Sequence, residues 1–369
     1  MASNGTTKKR RVAEPTSTED YVPKNILVTG GAGFIASHIV IQLVKKFPQY
    51  KIVNFDKLDY CSSLHNLNEV KDKPNYKFIK GNILSADLLK YVFESEKIDT
   101  IIHAAAQTHV DNSFGNSFAF TENNVMGTHV LVETAKDHGI KRFIHVSTDE
   151  VYGSSYEDEP RHVEEDVLEP TNPYAATKAA AENIVKSYYR SFKLPVIITR
   201  GNNVFGPHQY PEKLVPKFVR RLLKGLPCCL HGDGSNSRHF IYVEDVARAF
   251  ITILHKGQIG ETYNIGCETE YTNLEVAEKL IKALKPTLAN PKDFIEFVKD
   301  RPFNDVRYYI SSDKLKSLGW KEEETFEDAL QKTIAWYSKV SPDWWDVGTD
   351  SSLAAHPEQK GINKPAAFT

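Results

Sequence analysis

The stretch Asn-Ile-Leu-Val-Thr-Gly-Gly-Ala-Gly-Phe-Ile-Ala, residues 25–36, joins a short apolar run to a glycine-rich turn. The run predicts a buried strand, and the residues after the turn have the apolar spacing of a helix. Residues 30–36 fit the pattern G-x-G-x-x-G/A, with Ala36 in the last place. Glycines there allow a tight turn and a close approach to a pyrophosphate, whose charge the helix N-terminus stabilises. The stretch therefore predicts a dinucleotide site.

An acidic residue follows at the spacing that such a site requires. The second apolar run, 51–55, ends at Asp56, 23 residues beyond Gly33, where a carboxylate can hydrogen-bond the adenosine ribose. A carboxylate would repel a 2′-phosphate and so favours NAD over NADP, although the neighbouring Lys57 weakens this argument. A glycine turn that only packs a helix on a strand is the structural alternative.

Short apolar runs alternate with helix-length amphipathic segments up to residue 200. The predicted strands are 25–29, 51–55, 77–79, 100–104, 142–147 and 195–200, and the predicted helices are 34–46, 85–95, 118–138 and 173–192. This alternation predicts an α/β fold of the Rossmann type, in which helices cover both faces of a doubly wound parallel sheet.

After residue 200 the regularity is broken by prolines and by the turn 231–236, which predicts a smaller C-terminal α/β lobe. The predicted division is a disordered tail at 1–23, a dinucleotide-binding domain at 24–200 with 239–255 returning to it, a second lobe at 201–238 and 256–345, and a tail at 346–369.

Composition excludes several functions. The chain has 369 residues and a formal net charge of −2, without the basic stripe that nucleic-acid binding requires. The basic run at 8–11 lies in the N-terminal tail, where a solvated tail or a nuclear-targeting signal could explain it. No apolar segment reaches the roughly 20 residues that span a bilayer, so we expect a cytoplasmic protein without a membrane partner. Its four cysteines and 13 histidines lack metal-binding spacings, so we expect no metal.

Tyr174 and Lys178 form Tyr-x-x-x-Lys in a segment that Pro173 can begin as a helix. The i, i+4 spacing puts both side chains on one helix face. A tyrosine with its ordinary pKa of about 10 is a weak base at neutral pH, but a nearby ammonium and an oxidised nicotinamide ring both favour the phenolate. The pattern is common on helices, yet after a glycine-rich cofactor loop it indicates a base for hydride-transfer chemistry.

Two carboxylates stand side by side at Asp149 and Glu150, directly after the predicted strand 142–147. Ionisation of one raises the pKa of the other, so the pair is expected to divide into one acid and one base. Consecutive strand residues point to opposite faces, so both must lie past the regular strand, where the backbone turns. A pair that only caps or is solvated at the strand end is the structural alternative.

Three motifs together resemble those of the extended short-chain dehydrogenase/reductases, and specifically the nucleotide-sugar 4,6-dehydratases. They are Thr29-Gly-Gly-Ala-Gly33, Ser147-Thr-Asp-Glu-Val-Tyr-Gly153 and Tyr174-x-x-x-Lys178. The resemblance extends from about residue 24 to 345. It implies that the chain holds NAD tightly and converts a nucleoside-diphosphate glucose to the 4-keto-6-deoxy sugar.

The resemblance also implies a role for each motif residue. Tyr174 takes the 4-hydroxyl proton while the C4 hydride passes to NAD, and Thr148 hydrogen-bonds the 4-oxygen. Glu150 then removes the C5 proton, Asp149 protonates the departing 6-hydroxyl, and the hydride returns to C6. The implied catalytic set is Thr148, Asp149, Glu150, Tyr174 and Lys178.

Further positions match residues that line the two ligand pockets of this family. The implied cofactor-binding residues are Gly30, Gly33, Phe34, Ile35, Asp56, Asn82, Ile83, Ala104, Ala105, Ala106, Tyr174 and Lys178. The implied substrate-binding residues are Thr108, Asp111, Ser113, Thr148, Asn203, Lys213, Leu214, His231, Arg238, Asn273 and Arg301. Arginine suits phosphate oxygens because its guanidinium is a planar fork of donors.

Four departures from the bacterial dTDP-glucose enzymes indicate the nucleotide. They are Ala-Ala-Gln-Thr-His-Val-Asp at 105–111, Gly201 in place of a serine, Arg-Pro-Phe-Asn-Asp at 301–305, and His231 in place of a base-side tyrosine. With 111–117, they resemble the N-terminal UDP-glucose 4,6-dehydratase half of plant rhamnose synthases, which favours UDP-glucose over dTDP-glucose. Those proteins continue into a second dinucleotide domain; without one, the expected product is UDP-4-keto-6-deoxyglucose, the first step towards UDP-rhamnose.

Other functions remain open at this level. dTDP-glucose is the alternative substrate. A nucleotide-sugar 4-epimerase or decarboxylase would share the glycine loop and Tyr174 with Lys178, but would not need the paired carboxylates. A scaffold or redox sensor could bind NAD without turnover. Family members dimerise through helices like those at 118–138 and 173–192, so a homodimer is expected.

Overall fold

The computed structural model describes residues 20–156, 158–300, 304–341, 343–345 and 349–355. The basic run at 8–11 and Arg301 lie outside the described residues, as do most of the two predicted tails. No helix within the described part of the chain is both long and apolar enough to cross a bilayer.

Seven parallel strands form the large sheet, in the order β10-β6-β5-β4-β1-β2-β3. Their bounds are β1 Asn25–Thr29, β2 Lys51–Asp56, β3 Tyr76–Lys80, β4 Thr100–His103, β5 Arg142–Thr148, β6 Val196–Gly201 and β10 Thr262–Ile265. The strand order reverses between β1 and β4, and ligands of such sheets bind beyond the carboxyl ends at that point. The predicted Rossmann-type fold is confirmed.

Helices cover both faces of this sheet. Their bounds are α1 Phe34–Lys46, α2 Ala86–Glu96, α3 Val110–Gly115, α4 Ser117–Phe120, α5 Gly127–Asp137, α6 Pro173–Phe192, α7 Leu214–Leu223, α8 Val243–Lys256, α9 Asn273–Leu284, α10 Asp313–Ser317 and α11 Phe326–Tyr337. On one face, α1 and α8 bury residues such as Ile39 and Phe250. On the other, α2, α5 and α6 bury Val92, Leu131 and Val185.

The helix predicted over 118–138 is divided into α4 and α5 by a π-helical segment. Between α4 and α5, the backbone of Thr121–Met126 is π-helical. Asn124 in this turn binds the loop after β4, because its Oδ1 accepts from the Gln107 amide at 2.8 Å and its Nδ2 donates to the Gln107 carbonyl at 3.0 Å. Turns of this kind often occur at functional sites.

The second lobe contains two small sheets. Strands β7 Asn203–Phe205, β9 Ser237–Tyr242 and β11 Glu270–Thr272 form one, and β8 Cys228–His231 pairs with β12 Ile295–Val298 in the other. Helices α7, α9 and α11 pack on them around a core that includes Phe218, Leu280 and Leu330.

Two strands depart from the predicted division of the chain. Residues 239–255 were expected to return to the first domain, and α8 does pack against α1. However, β9 pairs with β7 and β11 in the small sheet, and it is β10 that pairs with β6 at the edge of the large sheet. Sequence could not assign these strands to a sheet, because both are short and mix polar with apolar residues.

Residues 349–355, predicted to be part of a tail, instead dock against α7 and β8. Leu353 is buried, and three side chains donate to consecutive carbonyls: Arg221 to Leu353 O at 2.7 Å, Lys217 to Ala354 O at 3.1 Å and His231 Nε2 to Ala355 O at 2.8 Å. No pattern within the segment predicts this docking, because the donors that hold it belong to other elements.

Candidate active site

The turn after β1 requires glycine for steric reasons. Gly30 has φ +72°, and a Cβ on it would lie 2.7 Å from the Cα of Ala105, in the loop after β4. Gly33 occupies the N-cap of α1. The backbone therefore passes close to the neighbouring strand end and leaves the N-terminus of α1 open to a ligand.

A cleft of about 1220 Å³ lies above this turn. All twelve residues implied for the cofactor line it: Gly30, Gly33, Phe34, Ile35, Asp56, Asn82, Ile83, Ala104, Ala105, Ala106, Tyr174 and Lys178. Asp56 accepts from the Ala32 amide at 3.0 Å and from the Leu58 amide at 2.8 Å, which holds its carboxylate at the end of β2. A glycine cradle beside a fixed carboxylate fits a dinucleotide.

The paired acids lie past the regular strand, as predicted. Strand β5 ends at Thr148, and Asp149–Tyr152 form a 3-10 turn. Thr148 is the N-cap of this turn, because its Oγ1 accepts from the Glu150 amide at 3.3 Å. The turn directs the two carboxylates to different environments.

Asp149 is 2% exposed. Its Oδ2 accepts from Asn202 Nδ2 at 2.7 Å and its Oδ1 from Thr148 Oγ1 at 3.2 Å. Burial, reinforced by the charge of Glu150, raises the pKa of Asp149 to about 7, although both hydrogen bonds lower it. A carboxyl with this pKa carries a proton for part of the time at neutral pH, as a general acid must.

Glu150 lines another large cavity among the described residues. Its Oε2 accepts from Asn172 Nδ2 at 3.0 Å, and the Tyr308 hydroxyl lies 3.5 Å away. Burial raises the pKa of Glu150, and Asn172, Lys213 and Arg238 oppose the shift. These donors and cations favour the ionised form that a base requires.

Tyr174 lies in the cofactor cleft on the first turn of α6. Burial and the charges of Glu150 and Asp149 raise its pKa, and a hydrogen bond with Thr148 lowers it. Lys178 lines the same cleft, and its Nζ donates to Val146 O at 2.5 Å. The effect of its ammonium on the phenolate stays a prediction. Burial also lowers the pKa of Lys178, to about 8.

The second cavity has about 1190 Å³. It is lined by eight of the residues implied for the substrate: Thr108, Asp111, Asn203, Lys213, Leu214, His231, Arg238 and Asn273. Ser113 is not among the lining residues, since it is fully buried and its hydroxyl donates to Val110 O at 2.6 Å, one turn earlier in α3; its role stays a prediction. Thr148 is buried beside Asp149, and Arg301 lies outside the described residues.

The two cavities meet at a shared wall. Thr108, Gln209, Glu212 and Lys213 line both of them. Glu212 accepts from the Tyr60 hydroxyl at 3.0 Å, and burial raises its pKa to about 7. Lys213 Nζ donates to Thr108 O at 2.8 Å. A ligand at this wall can contact both cavities.

Sequence reasoning missed several residues that hold the acids in place. Asn172 could have been found, since an asparagine before a helix-starting proline is an N-cap signal, and its Oδ1 accepts from the Ala175 amide at 2.9 Å. Tyr308 had no local signal. Its hydroxyl donates to Asp305 at 2.5 Å and approaches Glu150 from a distant part of the chain.

Residues 27–333 match the family model described as GDP-mannose 4,6 dehydratase. The chain is 56% identical over 340 residues to the trifunctional UDP-glucose 4,6-dehydratase/UDP-4-keto-6-deoxy-D-glucose 3,5-epimerase/UDP-4-keto-L-rhamnose-reductase of Arabidopsis thaliana, covering 91% of this chain and 50% of that protein. It thus spans about half the length of this relative.

Two further relatives are covered almost completely. The chain is 51% identical over 338 residues to the dTDP-D-glucose 4,6-dehydratase of Mus musculus, covering 91% of this chain and 94% of that protein. The dTDP-glucose 4,6-dehydratase of Streptomyces venezuelae, solved with NAD and TYD bound, superposes with a TM-score of 0.82 at 40% identity, covering 87% of this chain and 99% of that one.

Proposed function

This chain belongs to the GDP-mannose 4,6-dehydratase family, and from this premise we propose that it uses bound NAD to dehydrate UDP-glucose to UDP-4-keto-6-deoxyglucose. The three motifs predicted a nucleotide-sugar 4,6-dehydratase, and this prediction is confirmed at the level of the family. One observation carries the proposed reaction: Asp149 and Glu150 both act on the phenol of Tyr174, burial raises the pKa of Asp149 to about 7, and Asn172, Lys213 and Arg238 oppose the rise in the pKa of Glu150. A 4-epimerase has no need of this pair.

Each step has a residue suited to it. NAD, when bound, supplies the acceptor that takes the C4 hydride and later returns it to C6. Tyr174 takes the proton of the 4-hydroxyl, and Thr148 hydrogen-bonds the 4-oxygen. The ketone at C4 acidifies C5, whose proton Glu150 removes, while Asp149 donates its proton to the departing 6-hydroxyl. Water leaves between C5 and C6, and Glu150 returns its proton to C5 when C6 takes up the hydride, so the product has one water less than the substrate.

The preference for NAD rests on Asp56 and on the partner of Lys57. Lys57 Nζ pairs with Asp59 at 2.9 Å, so the negative charge of Asp59 offsets the positive charge of Lys57. The carboxylate of Asp56 would therefore repel the 2′-phosphate of NADP, with little compensation from Lys57.

The preference for UDP over dTDP is supported by the plant relative, whose name includes UDP-glucose 4,6-dehydratase, and by the four sequence departures. His231 lines the substrate cavity beside the docked segment 349–355. dTDP-glucose is the second candidate, because the murine relative is named for that substrate.

The decisive experiment incubates the purified protein separately with UDP-glucose and dTDP-glucose and follows the mass of each nucleotide sugar. Loss of one water from UDP-glucose, faster than from dTDP-glucose, is expected. Faster loss from dTDP-glucose would overturn the nucleotide assignment alone. An isomer of unchanged mass would indicate a 4-epimerase, and no change with either sugar would refute the enzymatic proposal.

We also propose a homodimer, formed through the exposed sides of α5 and α6 and their neighbours. Three large apolar side chains on this region are about half exposed, namely Phe118, Met126 and Phe192. Light scattering after size exclusion should give twice the chain mass, and a single chain mass would contradict the proposal. The cytoplasmic location stays a prediction.

A further inference from the structure

Gln209 has an unpaired acceptor at the wall between the two cavities. It is 8% exposed and lies in the loop between β7 and α7. Its Nε2 donates to Val204 O at 2.9 Å, whereas its Oε1 has no hydrogen-bond partner among the described residues. Buried polar atoms of proteins nearly always have a partner, so this oxygen is a candidate ligand contact.

The orientation of the amide is determined by its neighbour. If the amide were reversed, Oε1 would face Val204 O, and two acceptors would oppose each other. The nitrogen therefore faces Val204, and the oxygen points elsewhere. Because Gln209 lines both cavities, a ligand at the shared wall is within reach of the side chain.

The loop around Gln209 is held on both sides. The Tyr337 hydroxyl donates to the Gln209 carbonyl. The preceding residue, His208, hydrogen-bonds Ser37 of α1 at 3.0 Å, and beyond it Lys213 N donates to Tyr210 O at 3.2 Å. The acceptor is thus positioned before a ligand arrives, so its use requires little ordering of the loop.

We propose that Gln209 Oε1 accepts a hydrogen bond from one of the two hydroxyls of the glucosyl group that do not react, on C2 or C3. The inference rests on the proposed function, because C4 must lie next to the nicotinamide and the sugar must therefore lie where the cavities meet. A hydroxyl can donate to Oε1. Lys213, on the same wall, has only donors, and the Glu212 carboxylate has a partner in the Tyr60 hydroxyl, whereas Gln209 Oε1 has none among the described residues.

The test compares kcat/KM of the NAD-loaded wild-type protein for UDP-glucose, UDP-2-deoxyglucose and UDP-3-deoxyglucose. One analogue should react at least about tenfold less efficiently, because its missing hydroxyl leaves the buried oxygen unpaired. Gln209→Met should lose activity on UDP-glucose and should no longer discriminate against that analogue. The exposed Gln258 allows a matched control, and Gln258→Met should behave like the wild type.

Two outcomes would overturn the inference. One is a wild-type protein that treats both deoxy sugars like UDP-glucose; this comparison needs no variant, so it decides even if Gln209→Met does not fold. The other is a folded Gln209→Met protein that retains bound NAD and discriminates as the wild type does. Failure of the proposed function is distinct, because the wild type would then release no water from any sugar. If dTDP-glucose is preferred, the dTDP series gives the same comparison.

Discussion

At the scale of single residues, one peptide bond separates two carboxyls with different surroundings. Asp149 is enclosed and receives hydrogen bonds from two neutral groups, Asn202 and Thr148. Glu150 faces a cavity with the cations of Lys213 and Arg238 nearby. Burial acts on both, and Arg238 lowers the pKa of both, so Lys213, Asn172 and the order in which the pair ionises account for the division of labour that we propose.

Glu150→Gln should stop the reaction after oxidation at C4. The amide keeps the size of the side chain but cannot take the C5 proton, so product formation should fall by about 100-fold or more. Oxidation at C4 does not need Glu150, and reduced nicotinamide should therefore accumulate when UDP-glucose is added. Absorbance and product mass measure the two steps separately. Normal turnover in this variant would refute the role of Glu150.

The activity should depend on pH through Asp149. Because this acid must be protonated, kcat should be high below its pKa of about 7 and fall as the pH rises through that value. The hydrogen bond from Asn202 lowers this pKa, so in Asn202→Ala the alkaline limb of the profile should move to higher pH. The acid limb, which reports the base, should move less. An alkaline limb that stays in place or moves to lower pH would contradict the assignment.

At the scale of elements, the site depends on the junction of β5 with α6. The two acids directly follow the end of the strand, Asn172 is the N-cap of the helix, and Tyr174 lies in its first turn. Asn172 serves both elements, since its Oδ1 caps the helix and its Nδ2 donates to Glu150. The start of the helix and the position of the proposed base are therefore coupled through one side chain.

Asn172→Ala should reduce both stability and activity. Loss of the N-cap should lower the free energy of unfolding by about 1 kcal/mol. Loss of the Nδ2 donor raises the pKa of Glu150, so the acid limb of the kcat profile should move to higher pH. Denaturant unfolding and the pH profile measure the two effects.

Thr325 offers a matched control, because it caps α11 by accepting from the Asp328 amide at 3.1 Å. Thr325→Ala should also cost about 1 kcal/mol of stability, but it should leave the pH profile unchanged. If Thr325→Ala and Asn172→Ala changed the pH profile equally, Asn172 would act only through stability, and its proposed effect on Glu150 would be contradicted.

At the scale of the whole molecule, the two lobes enclose the two ends of one connected space. The large sheet supplies the cofactor cleft, and the second lobe supplies most of the substrate cavity. The docked segment 349–355 contacts α7 and β8, which contribute to that cavity. The reacting sugar of our proposal would lie where the lobes meet.

Cofactor binding should stabilise the whole fold. A ligand that binds only the native state adds about 2.7 kcal/mol at a free concentration of a hundred times Kd, so NAD should raise the melting temperature of protein freed of cofactor. NADP should do so much less, because Asp56 opposes its 2′-phosphate, and Asp56→Ala should reduce this difference. Calorimetry of the two proteins with each cofactor measures it. Equal stabilisation of the wild type by both cofactors would contradict the role of Asp56.

The sequence by itself determined the features whose signals lie in contiguous residues. The predicted bounds of β1, α1 and α6 agree with the structure, because each has a complete apolar pattern and a glycine or proline at one end. The family followed from three short motifs for the same reason. All twelve cofactor positions line one cleft. The first strand, turn and helix place only four of them, and most of the others lie at the carboxyl ends of neighbouring parallel strands, which meet at one edge of the sheet.

Only the tertiary structure decided which distant groups meet at the acids and at the shared wall. Asn202 reaches Asp149 across 53 positions, and Tyr308 approaches Glu150 across 158. The unpaired oxygen of Gln209 and the docking of 349–355 likewise have no local signal. Such contacts depend on strand order and on the packing of the two lobes, which bring chain segments together by burying apolar surface wherever the topology allows.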